Sequence, residues 1–251
     1  MINSKKVVFV ISARMSSTRL PGKVILPLAG KPVIVRIVER LKRSKYVDEI
    51  IVATTTNPAD EAIESICKEN SYKCFRGSEG DVLSRVAGAA KICDADIVFR
   101  GMADSPMVDW RIADRLIEIL DEGDYDYASN ELGSNPYPVG FDASVFSAKV
   151  LYEIEKIAKD DVSREHVTYY IYSHPEKYKI YKQQADGSML WPDLRLTLDT
   201  KEDYRLISLI YDNLIGQIED FSADDIIYFL KQHPEYLLIN RDIKQKDTNQ
   251  S

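Results

Sequence analysis

Apolar and polar positions switch between two periods along the first half of the chain. The run "KKVVFVIS" is short, apolar and β-branched, and predicts a buried strand. "KPVIVRIVERLKRS" then sets apolar residues at helical spacing, with Pro32 near the start, where the fixed φ of proline suits a first turn. The alternation repeats. "DEIIVATT", "KCFRG" and "ADIVFRGMAD" read as strands. "PADEAIESICKEN", capped by Asn57 with Pro58 at the first helical position, reads as a helix, as do "SEGDVLSRVAGAAKIC" and "DWRIADRLIEILDEG". Short strands alternating with helices imply right-handed crossovers and a mostly parallel sheet with helices on both faces. Ligands of such sheets bind beyond the carboxyl ends of the strands.

The second half is less regular. "DYDYASN" and "GFDASVFS" read as strands, "AKVLYEIEKIAKD" and "SREHVTYYIYSH" as helices. "YKIYKQQA" and "LRLTLDT" read as strands, in a hairpin or an excursion beside the main sheet, and "KEDYRLISLIYDNLI" and "ADDIIYFLKQH" as amphipathic helices. The expected organisation is one domain over 1–243, with a substrate-facing and dimer-forming elaboration around 131–190 and a frayed polar tail over 244–251.

Composition narrows the class. A chain of 251 residues, 45% hydrophobic, can bury a full core. No apolar run approaches the roughly 20 residues needed to span a bilayer, and the N-terminus lacks the features of a signal peptide. Cys67, Cys74 and Cys93 are widely spaced without a CxxC pair, which points to free thiols in a reducing cytoplasm and away from a zinc site. A formal net charge of -7 argues against a general nucleic-acid binder.

That charge is uneven. The first 45 residues hold eleven Lys and Arg and one acid, Glu39. "VERLKRSK" reads as a basic solvated helix face. Arg14, Arg19 and Lys23 lie earlier, on the connection that follows the first strand. Neither a Walker A loop nor a GxGxxG fingerprint is present. What remains is a strand, a loop rich in N–H and hydroxyl groups, and three cations suited to a triphosphate, with guanidinium forks and one point charge. Unaided, spacing also allows surface cations that bind nothing.

"ARMSSTRLPGK" resembles the signature ARxxSxRLPGK of the CMP-sugar synthetases, which activate sialic acid, KDO and related acids with CTP. "EIIVATTTNPADEAIE", "FRGSEGDVL", "SREHVTYYIY" and "LRLTLDTKEDYRLI" resemble the spore coat polysaccharide biosynthesis protein F branch of these cytidylyltransferases, across nearly the whole chain in order. The resemblance implies a three-layer α/β/α nucleotide-diphospho-sugar transferase fold, Rossmann-like, with a mostly parallel mixed sheet. It implies that Arg14 and Lys23 bind phosphate, with Arg19, Ala13, Ser17 and the adjacent backbone completing the cradle. It also implies a homodimer.

Nucleotidyl transfer needs a metal ion to bridge phosphates, and Mg²⁺ favours isolated carboxylates at strand ends. Asp104 and Asp199 stand at such ends, though each also suits a helix cap or turn. "MADSP" and "LDTKEDY" resemble the family's GDxP and (V/I)DTPEDL segments, which implies metal binding by both. Ala103 replaces the usual Gly, and Lys201 the common Pro. By the same resemblance, Thr54 and Arg76 lie around the cytosine, although Arg76 and Arg85 also suit surface pairs with Glu79 and Asp81. The acceptor side draws on Asp142, Arg164, Glu165 and His166. Ser163 suits an N-cap there, and the same residues also fit a merely capped helix.

The expected activity is Mg²⁺-dependent transfer of CMP from CTP to an acidic sugar of nonulosonic or octulosonic type, releasing pyrophosphate, in the cytoplasm and without nucleic acid or membrane. The alternatives are a phosphonate or other small-acid acceptor, a glycosyltransferase using a nucleotide sugar, and a non-catalytic nucleotide sensor. The formal DxD at Asp94–Asp96 precedes the fourth strand, at the wrong end of the sheet for the second of these.

Overall fold

The computed structural model describes residues 1–134, 136–218 and 220–244. Residues 245–251, most of the expected polar tail, lie outside the described residues. In chain order the regular elements are β1 (Val7–Ser12), β2 (Pro27–Leu28), β3 (Lys31–Pro32), α1 (Val33–Leu41), β4 (Glu49–Thr55) and α2 (Glu61–Glu69). They continue as β5 (Lys73–Gly77), α3 (Val82–Ile92), β6 (Ile97–Met102), α4 (Trp110–Glu122), β7 (Tyr127–Ser129) and β8 (Ser144–Ser147). The last are α5 (Ala148–Ile157), α6 (Asp161–Glu165), α7 (Tyr169–Ser173), β9 (Ile180–Lys182), α8 (Lys201–Leu214) and α9 (Ala223–Gln232).

Seven strands form one sheet in the order β5-β4-β1-β6-β8-β7-β9, and β2 and β3 form a separate ribbon. Within the sheet β8 runs antiparallel to both neighbours, and every other pairing is parallel. The period-two pattern of β1 is resolved into two faces. Val7, Phe9 and Ile11 pack with α1, α4, α8 and α9 on one side. Val8 and Val10 pack with α3 and α5 on the other. All five are fully buried, as expected of a central parallel strand covered on both faces. The result is the expected three-layer α/β/α arrangement. Among the described residues no helix is long and apolar enough to cross a membrane.

The structure departs from the sequence reading in four places. "LRLTLDT" does not become a strand, because only Arg195 bridges, to Val139. Its other backbone groups bond to loops, Leu196 N to Val139 O at 2.7 Å and Leu198 N to Asp104 O at 2.7 Å, so the segment is extended and buried without a strand partner. "YKIYKQQA" supplies β9, which joins the edge of the main sheet beside β7 and does not pair with "LRLTLDT". The helix expected from Ser163 splits into α6 and α7 at His166, and its cap is Asp160, which accepts from Ser163 N at 2.8 Å. Finally, α1 is not a simple solvated basic face. Arg40 is buried, donates to Val108 O at 2.8 Å and lies 4.4 Å from the Phe221 ring centroid.

Gly140 shows how tightly the loop between β7 and β8 is held against the 195–199 segment. Its φ is +109°, and a Cβ there would lie 2.5 Å from the Leu196 carbonyl carbon. Gly140→Ala combines backbone strain with a clash against main chain. It should cost about 2 kcal/mol or more and lower the melting temperature by roughly 5 °C. An unchanged melting temperature by calorimetry would show that this loop yields freely.

Candidate active site

The basic connection after β1 is shaped by its apolar residues. Leu20 and Val24 are buried in the core, and Met15 packs against it. Burial of these side chains is what turns the intervening charges toward the sheet. The Met15 carbonyl accepts from Ser17 N at 2.9 Å and from Gly22 N at 3.1 Å, closing the turn, and Gly22 takes φ +69°. A short helical turn over Lys23–Ile25 follows.

Asp60 fastens this loop. Only 2% exposed, it accepts from Met15 N at 2.7 Å and Thr55 N at 3.3 Å, and from the Thr55 hydroxyl. Nothing in the sequence marks it, since "PAD" reads as a helix start. Glu79 adds a second clasp, accepting from Ser16 Oγ at 2.7 Å and Asn57 Nδ2 at 3.2 Å. Those two bonds, with Arg14 and Arg85 nearby, hold its carboxyl below the usual range.

The centre of the site is the Lys23 ammonium. It lies 2.8 Å from Asp199 Oδ1 and 3.0 Å from Asp104 Oδ2. Two carboxylates about 4 Å apart repel by roughly 4 kcal/mol at an effective dielectric near 20, and a cation between them reverses the sign. The second oxygen of Asp199 receives Arg195 Nη2 at 2.7 Å and Arg19 Nη2 at 2.9 Å. Burial alone would push the Asp199 carboxyl up. Lys23, then Arg195 and Arg19, override it and hold the group below the ordinary aspartate range.

Neither aspartate serves as a helix cap. Thr200 caps α8 in a reciprocal box with Asp203, and Asp109 caps α4. Asp203, fully buried, also receives Arg195 Nε at 3.0 Å and the Asp199 N–H at 3.1 Å. Asp203 thus fixes Arg195 and the backbone of Asp199 together, a role invisible in sequence because "TKED" reads only as a helix start. Asp104 is held from its main chain, its carbonyl accepting from Leu198 N at 2.7 Å and Thr197 Oγ1 at 3.0 Å. Its Oδ1 is buried and has no partner among the described residues.

Of the three loop cations, then, Lys23 and Arg19 meet the acids. Arg14 is exposed at the rim beside Glu79 and Arg85. Ala13 is buried, its N–H donating to Ala53 O at 3.2 Å, and Ser17 Oγ accepts from Leu20 N at 3.4 Å. Thr54 is fully buried, and its hydroxyl, like that of Ser12, lacks a partner among the described residues. Arg76 donates to Thr55 O and Asn57 O, both at 2.9 Å, and pairs with Glu64, not with Glu79 or Asp81. Arg85 is buried against the carbonyls of Ser78 and Glu79.

The four acceptor-side residues do not converge. Arg164 pairs with Asp81, the cap of α3, and donates to Glu155 O at 2.7 Å. Glu165 is exposed, and His166 Nε2 is buried without a partner among the described residues. Asp142 lies near enough to Asp104 for that charge to act on it. Burial pushes its carboxyl up to about 7, helped by the charges of Glu131 and Asp104 and opposed by the Gly140 N–H at 3.0 Å.

Comparison with known proteins gives the chain's relatives. The sequence model of the family described as cytidylyltransferase matches residues 8–242. The spore coat polysaccharide biosynthesis protein SpsF of Bacillus subtilis is 35% identical over 236 residues, 91% of this chain and 95% of its own. The 3-deoxy-manno-octulosonate cytidylyltransferase of Bdellovibrio bacteriovorus is 29% identical over 187 residues, 73% of this chain and 69% of its own. A solved cytidylyltransferase from Leptospira borgpetersenii superposes with TM-score 0.86 at 31% identity, covering 97% of this chain and 100% of that one.

Two predictions follow from the geometry. Asp60→Ala strands the Met15 and Thr55 N–H groups, so chemical denaturation should register a loss of about 2–3 kcal/mol. A loss under about 0.5 kcal/mol would mean the loop is held elsewhere. Because the Asp142 carboxyl is raised, the folded state binds more protons than the unfolded state between the ordinary aspartate range and about 7. Its contribution to stability is therefore present at low pH and lost as pH rises through that window. Asp142→Asn should flatten this part of the pH–stability curve, and parallel wild-type and variant curves would refute the assignment.

Proposed function

The chain belongs to the cytidylyltransferase family, a nucleotidyltransferase by chemistry, and from that premise we propose that it transfers CMP from CTP to a small acidic sugar with release of pyrophosphate. The observation that carries the reading is the Lys23 ammonium held between Asp104, which follows β6, and Asp199, with Arg19 on the second oxygen of Asp199. A triphosphate supplies a competing set of anions. When it binds, Lys23 and Arg19 exchange carboxylate oxygen for phosphate oxygen, and the freed carboxylates face the same phosphates.

Those carboxylates need a cation in place of the lysine. Hard oxygen donors on two separated aspartates suit Mg²⁺, and the buried, unpartnered Oδ1 of Asp104 is a donor in want of one. Asp104 and Asp199 would hold the ion, which would neutralise phosphate charge and lower the pKa of a nearby hydroxyl. The chain's own residues do the rest. The Lys23 ammonium and Arg19 guanidinium stabilise charge on the departing pyrophosphate. Asp203 and Arg195 keep Asp199 in position. The loop pinned by Asp60 holds the α-phosphorus in line with an acceptor oxygen, so that positioning carries much of the rate. The names of the relatives, one a spore coat polysaccharide biosynthesis protein and one a 3-deoxy-manno-octulosonate cytidylyltransferase, support an acidic sugar destined for a surface glycan.

The test is pyrophosphate release from CTP with a panel of acidic sugars. Turnover should vanish with EDTA and return with Mg²⁺. Asp104→Asn should lower it by about three orders of magnitude with thermal unfolding little changed, and Lys23→Met should raise the KM for CTP by about tenfold or more. Full activity in Asp104→Asn would sink the metal assignment. Turnover of a finished nucleotide sugar, without pyrophosphate, would favour a glycosyltransferase, and CTP binding with no turnover a sensor.

A further inference from the structure

Asp203 carries more hydrogen bonds than a helix cap needs. Its Oδ2 receives Thr200 N at 3.0 Å, Asp199 N at 3.1 Å and Arg195 Nη2 at 3.1 Å, and its Oδ1 receives Arg195 Nε at 3.0 Å. The capping box of α8 accounts only for the bond from Thr200. A further donor reaches Oδ1 from another part of the chain. Asn240 Nδ2 lies 2.9 Å from it, and the same nitrogen donates to the Arg195 carbonyl at 3.1 Å. A backbone carbonyl can only accept, and so can a carboxylate, so these partners fix which end of the amide faces them.

Asn240 lies 45 residues beyond Arg195 and 37 beyond Asp203. It follows α9 and a short helical turn over Pro234–Leu238. Tyr236, Leu237 and Ile239 pack this turn against the core, and the Asn240 carbonyl accepts from Ile243 N at 3.0 Å. Apolar packing alone would dock such a turn. Yet Asn240 is only 6% exposed, and burying a carboxamide is unfavourable unless its N–H groups find acceptors. Both acceptors belong to the support of Asp199.

The contact reaches the reacting centre in two steps. Asn240 holds the main chain of Arg195, while Asp203 holds its guanidinium, so the residue is fixed at both ends. Arg195 Nη2 then donates to Asp199 Oδ2 at 2.7 Å, and Asp203 holds the Asp199 N–H. The other oxygen of Asp199 meets Lys23 at 2.8 Å. Charge explains the residue type. Lys23, Arg19 and Arg195 already face Asp104, Asp199 and Asp203. Asn240 adds a donor and no charge. A lysine there would compete with Arg195 for Asp203, and an aspartate would set acceptor against acceptor.

We propose that Asn240 is a positioning residue for the reaction, which locks the Asp203–Arg195 pair and through it sets the Asp199 carboxylate for the metal ion. The inference rests on the nucleotidyltransfer reading and adds that the turn after α9 completes the site. Groups that hold a metal ligand in place are commonly worth about ten- to a hundredfold in metal affinity or activity.

The test is calorimetric titration of CTP in EDTA, of CTP with Mn²⁺ and of Mn²⁺ alone, beside kcat and the KM for CTP under Mg²⁺. The proteins are the wild type, Asn240→Leu, Asn240→Ala, Asn240→Gln and Leu237→Ala. Mn²⁺ should tighten CTP binding to the wild type. Asn240→Leu, similar in volume but without a donor, should lose about tenfold or more of that gain and of kcat, with metal-free CTP affinity within about twofold of wild type. Asn240→Ala, which leaves room for water, should show the same loss and is read in its place if the leucine cannot be packed. Asn240→Gln keeps the donor on a longer stem and should fall between. Leu237→Ala loosens the same turn through packing alone, so it should lower the melting temperature and keep the metal-dependent gain. A gain unchanged in Asn240→Leu and Asn240→Ala, or lost equally in Leu237→Ala, overturns the inference. So does a wild type that binds no Mn²⁺ alone and whose CTP affinity is indifferent to it. Mn²⁺ binding that weakens in Asn240→Leu, in a protein that neither binds CTP nor turns over, sinks the nucleotidyltransfer reading and leaves the inference standing.

Discussion

The site is organised by a single ammonium shared between two carboxylates. Asp104 and Asp199 come from segments far apart in the chain, and without a cation their approach would be unfavourable. Lys23 makes the approach stable, and Arg19 and Arg195 oppose the desolvation that would otherwise drive Asp199 to its neutral form. The two acids are thereby held close together around one cation. A group of this kind is a poor source of net folding stability, because desolvation cancels much of its attraction. Its value lies in geometry.

That geometry is secured by groups that take no part in the chemistry. Leu20 and Val24 bury the basic loop against the core, and Asp60 fastens it to the end of β4 through main-chain N–H groups. Asp203 performs the same service for Asp199 while also capping α8. Each support is buried and satisfied, so the charged atoms they position need not be held by their own flexible stems.

Strand and helix positions were legible because the sheet is covered on both faces. Runs such as "VVFVI" had to be continuously apolar, and the helices between them had to be amphipathic. Lys23 and Arg19 were singled out by three cations on a turn after a strand together with the family resemblance, since spacing alone also allows surface cations that bind nothing. Asp60, Asp203 and Arg195 were not, since locally they read as part of an ordinary helix start while Asp60 engages Met15 from 45 residues away and Arg195 meets Asp203 only because the 195–199 segment folds back onto α8. The 195–199 segment has the alternation of a strand, but β-pairing depends on a neighbour, and the neighbour there is a loop. Arg76 and Arg164 have the residue type of ligands, and only the fold reveals the carbonyls and acids that already engage them.

By itself the sequence determined the α/β class, the alternation of main-sheet strands and helices from β1 to α4 and the end of the sheet at which charge collects, because burial on two faces leaves a periodic trace that neighbours in the chain suffice to read. The tertiary structure alone decided which charges meet. Arg14 and Lys23 look alike as letters, yet one stands at the rim and the other lies between two acids. Asn240 meets Arg195 and Asp203 only where the turn after α9 returns to the start of α8. Such meetings depend on long-range packing and on which groups water can reach, and neither is encoded in local spacing.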